Sequence, residues 1–387
     1  KSRTMMAIFH SRAAAFLLLL WSSAPSTTSF LLAPPLSTAP NFKASTALSA
    51  GSTDVSDLLY QEQEKIIIQR GELEETFVTN AKPLEASKIK IRGAGKAGGF
   101  GKASSNGTKA SSKLEGKSYA KILKKEGVLR LDNVLSPTTA DALRTYLYNL
   151  RTQSEQDVAD GKVQPIERYA HVLLKHNRCD LTIPLGTEEI VTKALNESLR
   201  KSPVGGIMES IFGDGAILHE FSCLMSDVGS QRQVIHPDTP FVDGKGPVLY
   251  TCFIALQDVT MDMGPTTWLP RTHTREAHAA FKDPFTKDEI VSNTPAKLGL
   301  LPKGSCGIFD SRLLHCGTAN RSNEGKSRAL FYFSFKNPEV GYTGNPASIR
   351  LELGAENVPL GKLMSDLESF ERGEGSPLID ELGRKMR

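Results

Sequence analysis

Two histidines, one aspartate and one arginine in this 387-residue chain have types and spacings that could hold a metal ion and an acid. His236 and Asp238 sit one residue apart in Arg232-Gln-Val-Ile-His-Pro-Asp-Thr-Pro-Phe241, and His315 follows 79 residues later. Arg328 comes thirteen positions after His315 and leads the apolar run Ala-Leu-Phe-Tyr-Phe-Ser-Phe. On an extended segment residues i and i+2 face the same side, so the imidazole of His236 and the carboxylate of Asp238 should point together. Adding the distant imidazole gives two His and one carboxylate, a set that with open coordination positions suits non-haem Fe(II) in an oxygenase. A guanidinium just beyond the second histidine could grip a dicarboxylate co-substrate in two-pronged fashion.

Each residue also has a plainer reading. An isolated His236 would be an exposed loop histidine, and Asp238 could cap a turn between Pro237 and Pro240. His315 could simply pack beside Leu313 and Leu314, but a polar ring among buried strands needs partners, and a metal is an economical one. Arg328 could pair with Glu324 on the surface, yet its place at the head of an apolar strand favours burial, and a buried guanidinium requires an anion. Asp310 and Arg312 read as structural contacts at a strand turn, and His273 as structural. His171 and His176 lie on a solvated face or at a substrate entrance.

The elements that must position these residues begin late in the chain. Residues 1–117 hold 15 Lys/Arg against 9 Asp/Glu, whereas 118–387 hold 32 against 34, so the net charge of +4 belongs to the N-terminal stretch and no nucleic-acid-binding face is expected. Five scattered cysteines without a C-x-x-C pair exclude a disulfide framework or zinc knuckle. With Met5 or Met6 as the expected initiator, Arg12 precedes Ala-Ala-Ala-Phe-Leu-Leu-Leu-Leu-Trp, a signal-peptide layout too short for a stable membrane span. The following Ser/Thr/Ala/Pro-rich stretch has no acidic residue before Asp54, which is transit-peptide composition. Residues 1–53 are therefore expected to be a cleaved leader to the secretory pathway or, if bipartite, to a plastid.

Residues 54–117 are expected to be an amphipathic helix over Thr53–Val78 followed by a flexible basic Gly/Lys/Ser linker from Lys88 to Lys117. Within it Gly93-Ala-Gly95-Lys-Ala-Gly98 lacks the apolar helix that a dinucleotide fold needs. The folded body spans 118–340, with 341–387 as a C-terminal extension. The body opens with a helix at Tyr119 ending at Gly127, a strand Val128–Val134, and a helix that Ser136 caps and Pro137 begins. Helices at Glu188–Leu199 and Val204–Phe212 come next. Strands then follow at Ala216–Met225, Gln233–Pro237, Val248–Leu256, Cys306–Phe309 and Ala329–Phe335. This order is that of an α+β chain whose second half is a sandwich or barrel.

With those residues placed, the region from Tyr119 to Pro338 resembles the phytanoyl-CoA dioxygenase family of Fe(II)/2-oxoglutarate oxygenases. The likeness rests on Gln233-x-x-His236-x-Asp238, on Gly264-Pro-Thr-Thr-Trp-Leu-Pro-Arg-Thr-His273, on Phe309-Asp-Ser-Arg-Leu-Leu-His315-Cys-Gly317-x-x-Asn320, and on Arg328. Two departures stand out: Arg271 replaces a usual glycine, and Gly317 stands where some members carry a serine. The resemblance implies a double-stranded β-helix, a cupin-like jelly roll supported by N-terminal helices. It implies iron on His236, Asp238 and His315, and 2-oxoglutarate on Arg328. O₂ would be consumed with decarboxylation of the co-substrate and hydroxylation of a C–H bond in a small-molecule substrate. Asp238 fills a position that halogenating relatives leave vacant, which favours hydroxylation. The alternatives are a non-catalytic jelly-roll module that binds metal or a small acid, and a zinc-type hydrolase on the same ligands.

Overall fold

Strand side chains alternate between two faces, and in this chain both faces of the main sheet are used. The computed structural model describes residues 81–88, 108–170, 177–185, 188–341, 348 and 358–374. The leader, the Thr53–Val78 helix, the Gly93–Gly98 string, His171 and His176 lie outside the described residues.

The strands are β1 (Lys82–Pro83), β2 (Val128–Leu131), β3 (Arg178–Thr182), β4 (Ile217–Ser226), β5 (Leu249–Ala255), β6 (Thr266–Trp268), β7 (Lys297–Leu298), β8 (Cys306–Asp310), β9 (His315–Gly317), β10 (Arg328–Lys336) and β11 (Val358–Pro359). The helices are α1 (Thr108–Glu126), α2 (Pro137–Ala159), α3 (Glu189–Leu195), α4 (Val204–Phe212), α5 (Arg275–Lys282), α6 (Lys287–Asn293) and α7 (Leu360–Glu371). The large sheet runs β11-β4-β10-β5-β8-β2, with β3 also on β4, and the small sheet runs β1-β7-β6-β9. Together they form the jelly-roll core of an α+β fold, with helices against the outer face of the large sheet.

Alternation sorts the core. Phe221, Cys223 and Met225 of β4 and Phe331, Phe333 and Phe335 of β10 point outward into one cluster with Leu123, Leu143, Leu147, Ile207 and Leu363 from the helices. Phe253, Phe309, Leu330 and Tyr332 point inward, in a cluster with Trp268 of the small sheet. Two helix ends lie where the sequence places them. The Ser136 hydroxyl accepts from the Thr139 amide to cap α2, with Pro137 in its first turn. Gly127 ends α1 at φ +78°. All five cysteines are free and buried, and no described helix is long and apolar enough to cross a membrane.

Three differences from the sequence reading have physical causes. Helix α1 begins at Thr108, inside the stretch expected to be tether, and it crosses α4 so closely that a Cβ on Gly116 would lie 2.4 Å from the Gly206 backbone. Residues 82–87, between the expected helix and the expected linker, dock on the barrel. Lys82–Pro83 pairs in parallel with Lys297–Leu298, Leu84 enters the inner core, and the Arg130 guanidinium donates to the Leu84 carbonyl. In the C-terminal extension β11 pairs with β4, while Leu363 and Leu367 of α7 join the outer core. The domain is therefore built from more of the chain than 118–340. Replacing Leu84 with alanine is expected to cost about 2 kcal/mol, the low end for a buried leucine. The measurement is the denaturation midpoint at unchanged slope. A change within about 0.5 kcal/mol, ordinary for surface positions, would mean that this strand is not held in solution.

Candidate metal centre and anion site

His315 opens β9, and its main chain exchanges two hydrogen bonds with His236: His236 N–H to the His315 carbonyl at 2.9 Å, and the reverse at 3.0 Å. This is an isolated antiparallel bridge, where the sequence reading expected a full strand over Gln233–Pro237. Pro237 and Pro240 lack the N–H donors that a longer ladder would use. One bridge suffices to set the two rings side by side, with centroids 4.6 Å apart. Asp238 is fixed separately, because its amide and that of Thr239 both donate to the Ser311 carbonyl, at 2.8 and 3.0 Å.

The side chains converge. The Asp238 Oδ1 atom lies 3.7 Å from Nε2 of His236 and 3.7 Å from Nε2 of His315. His236, Asp238 and His315 form a group whose ligating atoms all lie within 4.8 Å of one another. Each imidazole is oriented from behind. Nδ1 of His236 lies 2.8 Å from the Val234 carbonyl, and Nδ1 of His315 lies 2.9 Å from that of Leu313. A carbonyl can only accept, so Nδ1 carries the proton and Nε2 presents its lone pair, the arrangement that metal-bound histidines require. Burial pushes the His315 pKa down to about 4, which keeps the ring neutral and ready to ligate at neutral pH. The side chains of His236, Asp238 and His315 are 33%, 18% and 6% exposed, so the centre opens on the His236 side. Two imidazoles that direct Nε2 toward a carboxylate fit Fe(II) in their donor chemistry.

Arg328 opens β10 and is fully buried. One arm donates to the Gly264 carbonyl and the other to the Ser226 hydroxyl at 3.1 Å, while its Nε has no partner. Glu324, its surface alternative, contacts Lys326 instead. Arg178 was not foreseen. It heads β3, opposite Ser226 across one edge of β4, as Arg328 is across the other. Its Nε donates to the same Ser226 hydroxyl at 3.1 Å, and it also donates to the carbonyls of Gln231 and Thr318. Burial and the nearby Arg178 charge press the Arg328 pKa down to about 9. Two buried guanidiniums share one hydroxyl, and among the described residues none of their hydrogen bonds goes to a carboxylate. Such a pair suits an anion. The signal for it was the alternation Arg178-Cys-Asp180-Leu-Thr182, whose odd members face the outer core and whose even members face inward.

Both departures from the family pattern have structural reasons. At Gly317 a Cβ would fall 2.6 Å from the Gln233 side-chain oxygen, which accepts the Gly317 amide, and 3.6 Å from the Arg178 guanidinium. A serine there would displace Gln233. Arg271 adopts the left-handed conformation, φ +67°, and its guanidinium forks onto Glu126 with two contacts of 2.7 Å. His273 bonds the Lys124 carbonyl, and Arg312 forks onto the buried Asp310 carboxylate, so both are structural as expected. A cavity of about 300 Å³ joins the metal-ligand group to the arginine pair, and Asp180, Glu220, Leu224, Thr251, Phe253 and Tyr332 also line it.

The family model for phytanoyl-CoA dioxygenase matches residues 123–329, a span that contains His236, Asp238, His315, Arg178 and Arg328. No curated protein sequence matches the chain. Similar solved structures include AviO1 from Streptomyces viridochromogenes Tue57, with 14% identity and TM-score 0.41 over 58% of this chain and 96% of that one. Another is the non-heme alpha ketoglutarate dependent carbocyclase SnoK from nogalamycin biosynthesis, with 17% identity and TM-score 0.43 over 63% and 92%. A third is the epimerase SnoN from the same biosynthesis, with 16% identity and TM-score 0.41 over 61% and 99%. Likeness this distant carries no information on activity or substrate.

Proposed function

The chain belongs to the phytanoyl-CoA dioxygenase family of non-haem iron, 2-oxoglutarate-dependent oxygenases, and from that premise we propose that it hydroxylates a C–H bond of a small-molecule substrate. The observation that carries this reading is the joining of a two-His, one-carboxylate group and a buried, anion-seeking arginine pair by a single cavity. In this proposal Nε2 of His236, Nε2 of His315 and the carboxylate of Asp238 hold Fe(II). Arg328, with Arg178 beside it, takes the far carboxylate of 2-oxoglutarate. When bound, iron and 2-oxoglutarate supply the oxidising power, with O₂ consumed and succinate and CO₂ released as C–H becomes C–OH.

The chain's own residues set geometry and dryness. The Leu313 and Val234 carbonyls keep the Nδ1 protons in place, so neither ring turns its N–H toward the metal. Asp238 contributes a negative charge that offsets that of the cation and occupies the position a halide would need. Phe309 lies tilted against the His315 ring, and Phe253 packs edge-on to Phe309, so the inner side of the centre has an apolar backing. A zinc hydrolase on the same ligands would have no use for two buried guanidiniums, because attack by water needs no dicarboxylate clamp.

Anaerobic titration of the protein with Fe(II) and then 2-oxoglutarate, followed by measurement of succinate after admission of O₂, tests the reading. Iron bound without any response to 2-oxoglutarate would favour the alternative of a non-catalytic binding module. Asp238→Gly is expected to weaken iron and to end hydroxylation without creating a halogenase, because halide also needs a shaped pocket. Hydroxylation by that variant at the parental rate would remove Asp238 from the ligand set.

A further inference from the structure

One buried imidazole has no part in the chemistry above. His278 stands on α5 and is 3% exposed. Its Nε2 lies 2.7 Å from the Arg312 carbonyl, and its Nδ1 accepts from the Phe241 amide at 3.2 Å. A carbonyl can only accept and an amide N–H can only donate, so the proton sits on Nε2 and the lone pair on Nδ1. Burial lowers the pKa of the ring and keeps it in this neutral form. The two partners belong to the two halves of the metal centre. Phe241 lies three residues after Asp238, and Arg312 lies three residues before His315.

The segment that carries Asp238 has few means of attachment. Pro237 and Pro240 have no N–H to donate. Three main-chain donors remain between positions 237 and 241. Those of Asp238 and Thr239 go to the Ser311 carbonyl, and that of Phe241 goes to His278. The Thr239 hydroxyl also meets that of Ser311 at 2.6 Å. The turn that receives these bonds is itself held, because the Asp310 carboxylate accepts from the Arg312 amide at 2.9 Å and from its guanidinium. That guanidinium lies over the Phe241 ring, 5.4 Å from its centroid. Helix α5 is anchored by the Thr274 hydroxyl, which accepts from the Ala277 amide.

We propose that His278 is a positioning residue for the metal centre. It latches the segment carrying Asp238 onto the turn that leads to His315, and so fixes where the carboxylate meets the two imidazoles. The assignment rests on the reading of His236, Asp238 and His315 as iron ligands. Filling space would not require an imidazole with both nitrogens paired in opposite sense. An apolar ring would fill the same volume and leave the Phe241 amide and the Arg312 carbonyl without these partners. Groups that orient ligands from behind set the affinity of a centre they never touch.

The test compares anaerobic Fe(II) and Co(II) titrations of the full chain with those of three variants. His278→Phe removes both contacts. His278→Asn keeps an acceptor near the Nδ1 position for the Phe241 amide, whereas His278→Gln keeps only a donor near the Nε2 position for the Arg312 carbonyl. His278→Phe and His278→Gln are expected to weaken both metals about tenfold, the low end for loss of an outer-shell partner. The visible spectrum of bound Co(II), which reports ligand geometry, should change with them. His278→Asn should recover most of the affinity and the parental spectrum. If His278→Asn binds metal no better than His278→Gln, the proposal is overturned, since space filling alone would lower the denaturation midpoint without separating the two. Should His278→Phe not fold, the comparison of Asn with Gln decides alone. Metal bound equally by the parent and all variants removes the latch and leaves the oxygenase reading standing. If the parent takes up neither metal, the metal reading itself fails and the positioning role falls with it.

Discussion

His315→Ala is expected to yield a folded protein that holds no Fe(II) and does not turn over. The fold should survive because the bridge to His236 is made by main-chain atoms that the substitution leaves in place. Iron should be lost because the removed Nε2 is the most deeply buried of the three donors and is already oriented by the Leu313 carbonyl. Loss of an outer-shell partner typically costs about tenfold to a hundredfold in metal affinity, and removal of a ligand should cost more. His236→Ala should behave alike. Metal content per folded protein is the measurement, and full iron occupancy after loss of both histidines would sink the assignment.

Arg328→Leu should weaken 2-oxoglutarate by about a hundredfold or more while leaving iron nearly unchanged. Removing one partner of a buried charge pair typically costs roughly 3–5 kcal/mol, and each 1.4 kcal/mol is about tenfold. Arg178→Leu is expected to cost less, because Arg178 is tied to the Gln231 and Thr318 carbonyls, and of the two only Arg328 has a fully buried nitrogen without a partner. Separate titrations with iron and with 2-oxoglutarate distinguish the two effects. An unchanged co-substrate titration in both variants would show that the arginine pair serves another anion.

How much of this could be read before the fold was seen depended on how local each signal was. His236, Asp238, His315 and Arg328 were legible because each stands in a short, chemically unusual string, and the structure brings the first three together and joins them to the fourth by one cavity. Val204–Phe212 and the Ser136 cap were legible for the same reason. Arg178 was not. Its meaning lies in sharing Ser226 with a residue 150 positions away, which only strand pairing can reveal. Leu84 was hidden because composition averages over a window, and one leucine in a mixed polar neighbourhood does not move the average. The strand at Gln233–Pro237 was over-read, since its apolar pattern ignored the donors missing from two prolines.

Polymer physics draws a consequence from the His236–His315 bridge. Two hydrogen bonds close a loop of 79 residues, and closing a loop of that size costs conformational entropy that grows only slowly with length. That cost is met by main-chain bonds of the barrel and not by bonds to a metal. In a zinc finger the ion gathers its own ligands and the chain is unfolded without it. In this protein main-chain bonds draw the donors together, so the ion is expected to be a tenant and not a builder. Its free energy of binding is not consumed in ordering the chain, and side-chain chemistry at positions 236, 238 and 315 can change while the scaffold persists.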